Sequence, residues 1–298
     1  MRFKTVIPVI KLLRPAQWAK NGFAFLPLFF GGQLFNIPSI MACLVAFAAF
    51  SFAASSIYCF NDIWDVKADK LHPKKCKRPV AAGTVSIKAA YAVMAVCFIL
   101  SMIILFLFGG VAKYWLILLI SGYWLMNIAY CIRLKQFVII DVIIISAGFV
   151  IRLFVGGIAS DIPLSEWIVI MTFLLALFLA FAKRRDDVVL FQNTGISPRK
   201  NTNRYNLEFM NQVITIIATV TIVAYIMYTL SPEVIARFNS KHIYLTALFV
   251  LMGIIRYLQL TIVDLNSGSP TKILLKDLFV QCCIIGWIIA FLFIIYVM

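Results

Sequence analysis

The sequence predicts an all-α polytopic membrane bundle of about nine transmembrane helices. Three observations point there. Of 298 residues, 63% are hydrophobic and only 13% are charged. Mean hydropathy is +0.99. Long apolar runs alternate with short charged loops. A soluble domain is nearer half apolar and one-quarter charged. No alternation of apolar and polar residues runs through the apolar stretches, which argues against a membrane β-barrel. Helices satisfy their own backbone groups inside lipid, and each needs about 20 apolar residues to cross.

Apolar runs at 21–36, 39–60, 87–110, 114–131, 137–158, 164–182, 208–230, 241–263 and 273–297 supply the nine candidates. The first is the weakest, because it contains Asn21, Pro27 and Gly31-Gly32. Residues 1–20 read as a basic, amphipathic lead-in at the interface. Arg14, Pro15 and Lys20 interrupt them before any clean apolar core, so no cleavable signal peptide is expected. Residues 1–298 are read as a single transmembrane domain, with charged loops at 61–86 and 183–207.

The formal charge is +15. On a soluble chain this would suggest nucleic acid. Here the positive-inside rule and a polyanionic substrate both account for it, and nucleic acid is not expected. Twenty-two of the 27 Lys and Arg fall on one set of alternating loops, and only Lys113, Arg237 and Lys241 fall on the other. That asymmetry predicts a cytoplasmic N-terminus and an external C-terminus in a cell membrane. Arg152 and Arg256 remain inside spans, where charge is costly and faces the bundle interior. The seven cysteines form no CxxC pair and mostly occupy apolar runs, so they read as packing.

Four constellations carry candidate chemistry. Asn61-Asp62-Ile63-Trp64-Asp65-Val66-Lys67-Ala68-Asp69 ends the second apolar run. Residues 61, 65 and 69 are four apart and share a helix face. Oxygen-bearing side chains there suit Mg²⁺, which shares its ligands with substrate phosphates. The plainer reading is a solvated helix end. His72-Pro73-Lys74-Lys75-Cys76-Lys77-Arg78 follows. Lys74, Lys77 and Arg78 can neutralise diphosphate oxygens, or simply obey the positive-inside rule. Lys183-Arg184-Arg185-Asp186-Asp187 mixes charges again, as a phosphate clamp or a stop-transfer cluster. Arg14-Pro15-Ala16-Gln17-Trp18-Ala19-Lys20-Asn21 reads either as an interfacial anchor or as placing Lys20 at a cavity mouth.

In this order the motifs resemble the UbiA superfamily of membrane-embedded transferases. The stretch NDxxDxxxD at 61–69 carries that likeness. RPAQWAKN at 14–21, HPKKCKRPVAAG at 72–83, RLFVGGIASDIPLSEW at 152–167 and AKRRDD at 182–187 pull it toward the decaprenyl-phosphate phosphoribosyltransferase branch. The resemblance implies transfer of a 5-phosphoribosyl group from 5-phosphoribosyl 1-diphosphate to a polyprenyl phosphate, with Mg²⁺. It implies that Asn61, Asp62, Asp65 and Asp69 hold metal and leaving diphosphate. Asp65, Asp69 and Lys183 would be catalytic. Lys20, Lys74, Lys77, Arg78, Arg152, Arg184 and Asp187 would bind substrate. One departure stands out: prenyl-transferring relatives show a second DxxxD, whereas here Asp187 is followed by Phe191. The competing expectations are a prenyltransferase acting on an aromatic acceptor, and a transporter of an anionic solute.

Overall fold

The computed structural model describes residues 3–71, 75–108, 110–195, 202–265, 273 and 276–296. Every regular element among them is helical. The α-helices are α1 (Phe3–Leu13), α2 (Leu26–Phe30), α3 (Ile37–Trp64), α4 (Val66–Leu71), α5 (Ile87–Leu107), α6 (Ala112–Ile132), α7 (Ile140–Ser160), α8 (Glu166–Thr194), α9 (Leu207–Leu230), α10 (Pro232–Phe238), α11 (Ala247–Ile262) and α12 (Leu278–Tyr296). Side-chain caps start four of the long ones. Asn36, Ser86, Ser165 and Asn206 each accept a hydrogen bond from the backbone N–H three residues on. These residue types satisfy the otherwise orphaned first-turn donors. Gly195 ends α8 at φ +69°, the left-handed geometry that glycine adopts without strain.

Seven helices among the described residues are long and apolar enough to cross a membrane, and Leu278–Ile294 is a shorter apolar helix. They account for eight of the nine expected runs. The first run, expected as a span at 21–36, is different. An 11-residue 3-10 segment, Pro15–Phe25, leads into the five-residue α2. Such long 3-10 stretches are uncommon. At about 2.0 Å per 3-10 residue and 1.5 Å per α residue, this path rises about 30 Å, comparable to the hydrocarbon thickness. Two loop boundaries also shift. The segment drawn as a loop at 61–86 begins inside α3 and contains α4. The segment drawn as a loop at 183–207 is helical through Thr194, so Lys183–Asp187 lie on α8.

The chain divides into two compact units, Met1–Leu164 and Ser165–Met298. In the first unit α3 is the central helix. Ala46, Ala49, Ala53 and Ala54 are buried on it beside Leu105 of α5, Ile120 of α6 and Val155 of α7. Small side chains allow the close backbone approach on which helix association in lipid depends. The 3-10 segment runs antiparallel along the same helix. Trp18 Nε1 donates to Ser55 (3.0 Å), Asn21 Nδ2 donates to Ser51 (2.9 Å), and the Cys43 thiol donates to the Ala24 carbonyl (3.6 Å).

Gly156 of α7 is what lets this segment in. A Cβ there would sit 1.9 Å from the Ala24 carbonyl oxygen. Gly156→Ala therefore forces backbone apart, and an expected loss of about 1–3 kcal/mol should lower the melting temperature in detergent. Gly22→Ala, where a Cβ meets nothing within 4 Å, should melt like the parent.

In the second unit α8 packs on α9, and α11 packs on α9 and α12. A polar knot ties three of its elements. Trp287 Nε1 donates to Tyr225 Oη at 2.6 Å, and Tyr225 Oη lies 2.7 Å from the Thr246 hydroxyl.

Candidate active site

The NDxxDxxxD stretch straddles a slight break between α3 and α4. Asp65 sits at the break, with φ −89° and ψ 4°. Helical hydrogen bonding nonetheless runs through it, from Asp65 N to Asn61 O (3.0 Å) and from Asp69 N to Asp65 O (2.8 Å). The polar side chains do not share a single face. They form two groups.

Asp62 and Asp69, seven residues apart, are both buried. Arg78 Nη1 bridges them, 2.7 Å from Asp69 Oδ2 and 3.4 Å from Asp62 Oδ1. Arg14 also pairs with Asp62 Oδ1. Asn61 and Asp65 meet different partners. Cys131 Sγ donates to Asn61 Oδ1 at 3.4 Å, and Lys135 Nζ lies 2.6 Å from Asp65 Oδ1. Asp65 is the more open of the aspartates, with its side chain 27% exposed against 1% for Asp62.

Local structure explains why the cations are there. Arg78 opens a turn in which Ala82 N donates to the Arg78 carbonyl (2.8 Å) and the Thr84 hydroxyl to the Pro79 carbonyl (3.0 Å). Gly83 supplies its φ of +73°. Val80 and Val85 plug that turn into a cluster with Leu12, Cys59 and Ile63. Arg14 links α1 to the 3-10 segment in a left-handed conformation, φ 53° and ψ 59°. A non-glycine residue pays for that geometry, and here the guanidinium is held by Asp62 and lies 5.2 Å over the Tyr58 ring. Lys135 lies on the 3-10 turn between α6 and α7.

The donor set at 61–69 is all oxygen, which suits a hard divalent cation. One of its oxygens is left unsatisfied. Asp62 Oδ2 is buried and has no hydrogen-bond partner among the described residues. No three His, Cys, Asp or Glu side chains among the described residues converge on one point that could hold a metal. That arrangement is compatible with Mg²⁺, which takes one or two carboxylates and completes its shell with water and substrate phosphate.

Other expected site residues lie elsewhere. Lys20 is exposed, and its neighbour Asn21 is hydrogen-bonded to Ser51, ten residues before Asn61. Ten helical residues are about 15 Å, so the structure does not bring Lys20 to the aspartates. Arg152 lies at the level of Asn21. Its Nε donates to Asn21 Oδ1 (2.8 Å), Nη1 to the Gly148 carbonyl (2.7 Å) and Nη2 to Tyr123 Oη (3.0 Å). The rings of Phe50, Tyr123 and Phe149 surround it at 4.8–5.2 Å. Such a cage stabilises a desolvated guanidinium. Arg152 thus fastens the 3-10 segment to α6 and α7. Lys77 is exposed, and Lys74 and His72 lie outside the described residues.

In the second unit Lys183 is exposed on α8, and the buried Arg184 pairs with Asp187 at 3.3 Å. Arg185 is structural. It donates to Asn211 Oδ1 (2.6 Å) and to the Thr261 carbonyl (2.6 Å), satisfying a last-turn carbonyl of α11. Arg256, read as an intramembrane charge, pairs with Asp277 at 2.8 Å, and those hydrogen bonds hold the Asp277 carboxyl below its usual range. Arg14 and Lys135 are the residues that sequence reasoning missed. Arg14 opens the 14–21 constellation without a site role of its own and Lys135 enters only the loop charge, because nothing local reveals partners 48 and 70 positions away.

Comparison with known proteins bears on this arrangement. The model of the UbiA prenyltransferase family matches residues 23–280. Decaprenyl-phosphate phosphoribosyltransferase of Corynebacterium glutamicum is 32% identical over 293 residues, which cover 97% of this chain and 87% of that protein. The Mycolicibacterium smegmatis protein of the same name is 33% identical over 297 residues, 94% of this chain and 90% of that protein. Among solved structures, a UbiA homolog from Archaeoglobus fulgidus bound to GPP and Mg²⁺ superposes with a TM-score of 0.69. It is 16% identical and covers 95% of this chain and 99% of that one. With its helical spans, its NDxxDxxxD stretch and these relatives, the chain is a multi-pass membrane transferase and belongs to the UbiA prenyltransferase family.

Proposed function

We propose that this protein transfers a 5-phosphoribosyl group from 5-phosphoribosyl 1-diphosphate to a polyprenyl phosphate, releasing diphosphate. The observation that carries the reading is alignment along nearly the whole chain, at 30–33% identity, with relatives named decaprenyl-phosphate phosphoribosyltransferase. The carboxylate and cation cluster at 61–78 supports it, since the donor is a polyanion. In this reading Asn61, Asp62, Asp65 and Asp69 hold Mg²⁺ and the donor. Bound Mg²⁺ supplies charge neutralisation of the departing diphosphate. Arg78 neutralises oxygens beside it. An oxygen of the lipid phosphate bonds to ribose C1 as the bond from C1 to the diphosphate oxygen breaks. The acceptor is already an anion, so no general base is required. The excess of Lys and Arg on one set of loops supports a cytoplasmic N-terminus and a cytoplasmic 61–78 segment, in the cell membrane. We read residues 1–298 as one functional domain.

The test supplies purified protein with Mg²⁺, polyprenyl phosphate and donor labelled in the ribose. Label is expected to move into the organic phase. Label that stays in water, while a parallel mixture of prenyl diphosphate and 4-hydroxybenzoate gives a prenylated acid, would transfer the assignment to aromatic prenylation.

A further inference from the structure

Each of the three aspartates is already matched by a cation. Arg14 and Arg78 take Asp62, Arg78 takes Asp69 at 2.7 Å, and Lys135 takes Asp65 at 2.6 Å. The cations come from three separate parts of the first unit: the residue after α1, the turn before α5 and the turn after α6. Three carboxylates and three cations are thus paired in two groups along 61–69, two of the carboxylates buried.

This balance decides what can enter. A bare divalent cation approaches carboxylates that are already neutralised and must push two guanidinium groups and an ammonium aside. A bare diphosphate approaches cations whose charge is likewise spent on carboxylates. Entering together, each releases the partners that the other needs. The carboxylates turn to the metal and the cations turn to the phosphate oxygens. Fork-shaped guanidinium groups suit the second task. Asp62 Oδ2, buried and without a hydrogen-bond partner among the described residues, is an acceptor left open for the first.

We infer that metal and diphosphate bind this site cooperatively, and that Arg14 and Lys135 are its guard cations. In their absence the carboxylates would preload with metal. The inference rests on the proposed reading of 61–69 as a metal and diphosphate site. It is separable from the identity of the group transferred, because it concerns only the two parts that both candidate reactions share. By linkage, metal must raise diphosphate affinity by the same factor as diphosphate raises metal affinity.

The experiment is equilibrium dialysis of the full chain in detergent with radioactive Mn²⁺ alone, labelled inorganic diphosphate alone, and both. Free concentrations are corrected for their complex in solution. The expected result is weak retention of each alone and an affinity for the pair about 10- to 100-fold higher. Lys135→Gln should retain Mn²⁺ without diphosphate better than the parent, and its coupling should shrink. Parent protein that binds Mn²⁺ alone as tightly as with diphosphate overturns the inference and leaves the proposed function standing. Retention of neither probe, even together, overturns both. The comparison on the parent protein decides the matter even where a variant fails to fold.

Discussion

Asp65→Asn is expected to lower phosphoribosyl transfer at least about 100-fold while the protein inserts and melts as the parent does. The substitution keeps shape and removes one charge. Asp65 is the place to make it because its side chain is 27% exposed and, among the described residues, it pairs with Lys135. The pair is half-buried and still open to solvent, so its loss is expected to cost on the order of 1 kcal/mol. Asp62→Asn is a poorer probe. That carboxylate is buried between Arg14 and Arg78, so its loss leaves two guanidinium groups under-compensated and mixes folding with chemistry. Transfer by Asp65→Asn at the parental rate would remove the assignment of this stretch to the reacting diphosphate.

The second large effect is on stability. Arg152→Ala should destabilise the first unit by about 3 kcal/mol, since it deletes hydrogen bonds from a charged donor and leaves a cavity among three rings. It should also strip Asn21 of a partner and loosen the 3-10 segment. Arg152→Lys keeps the charge, but a single ammonium cannot reproduce the fork that reaches Asn21, Gly148 and Tyr123 together. It is expected to recover only part of the loss in a thermal melt. Full stability in both variants would show that Arg152 does not fasten this segment.

The spans were the legible part, because hydropathy over about 20 residues is a physical requirement of crossing lipid. Seven long helices fall where apolar runs were read. The first run was legible as weak but not as 3-10, since Pro15 and Pro27 perturb a helix without specifying its replacement. At the site, the oxygen donors at 61–69 were visible from their spacing. Their split into two groups was not. It depends on Arg78, Cys131 and Lys135 arriving from other elements. Arg152 illustrates the opposite case. Its burial in the interior was foreseeable from the cost of charge in lipid, but its ring cage and its pairing with Asn21, 131 positions away, were not.

The winding of Pro15–Phe25 also acts as a spacer of set length. The chain is fastened at one end where Arg14 meets Asp62, and at the other where Gly31 abuts Ile162. Rewound as an α-helix, those 11 residues would shorten by about 5 Å, close to one helical turn. Arg14 would then be drawn away from Asp62 toward the level of Tyr58. The tight winding therefore leaves no slack, and deleting a single residue between Pro15 and Phe25 should move a charge at the site even though no site residue is altered.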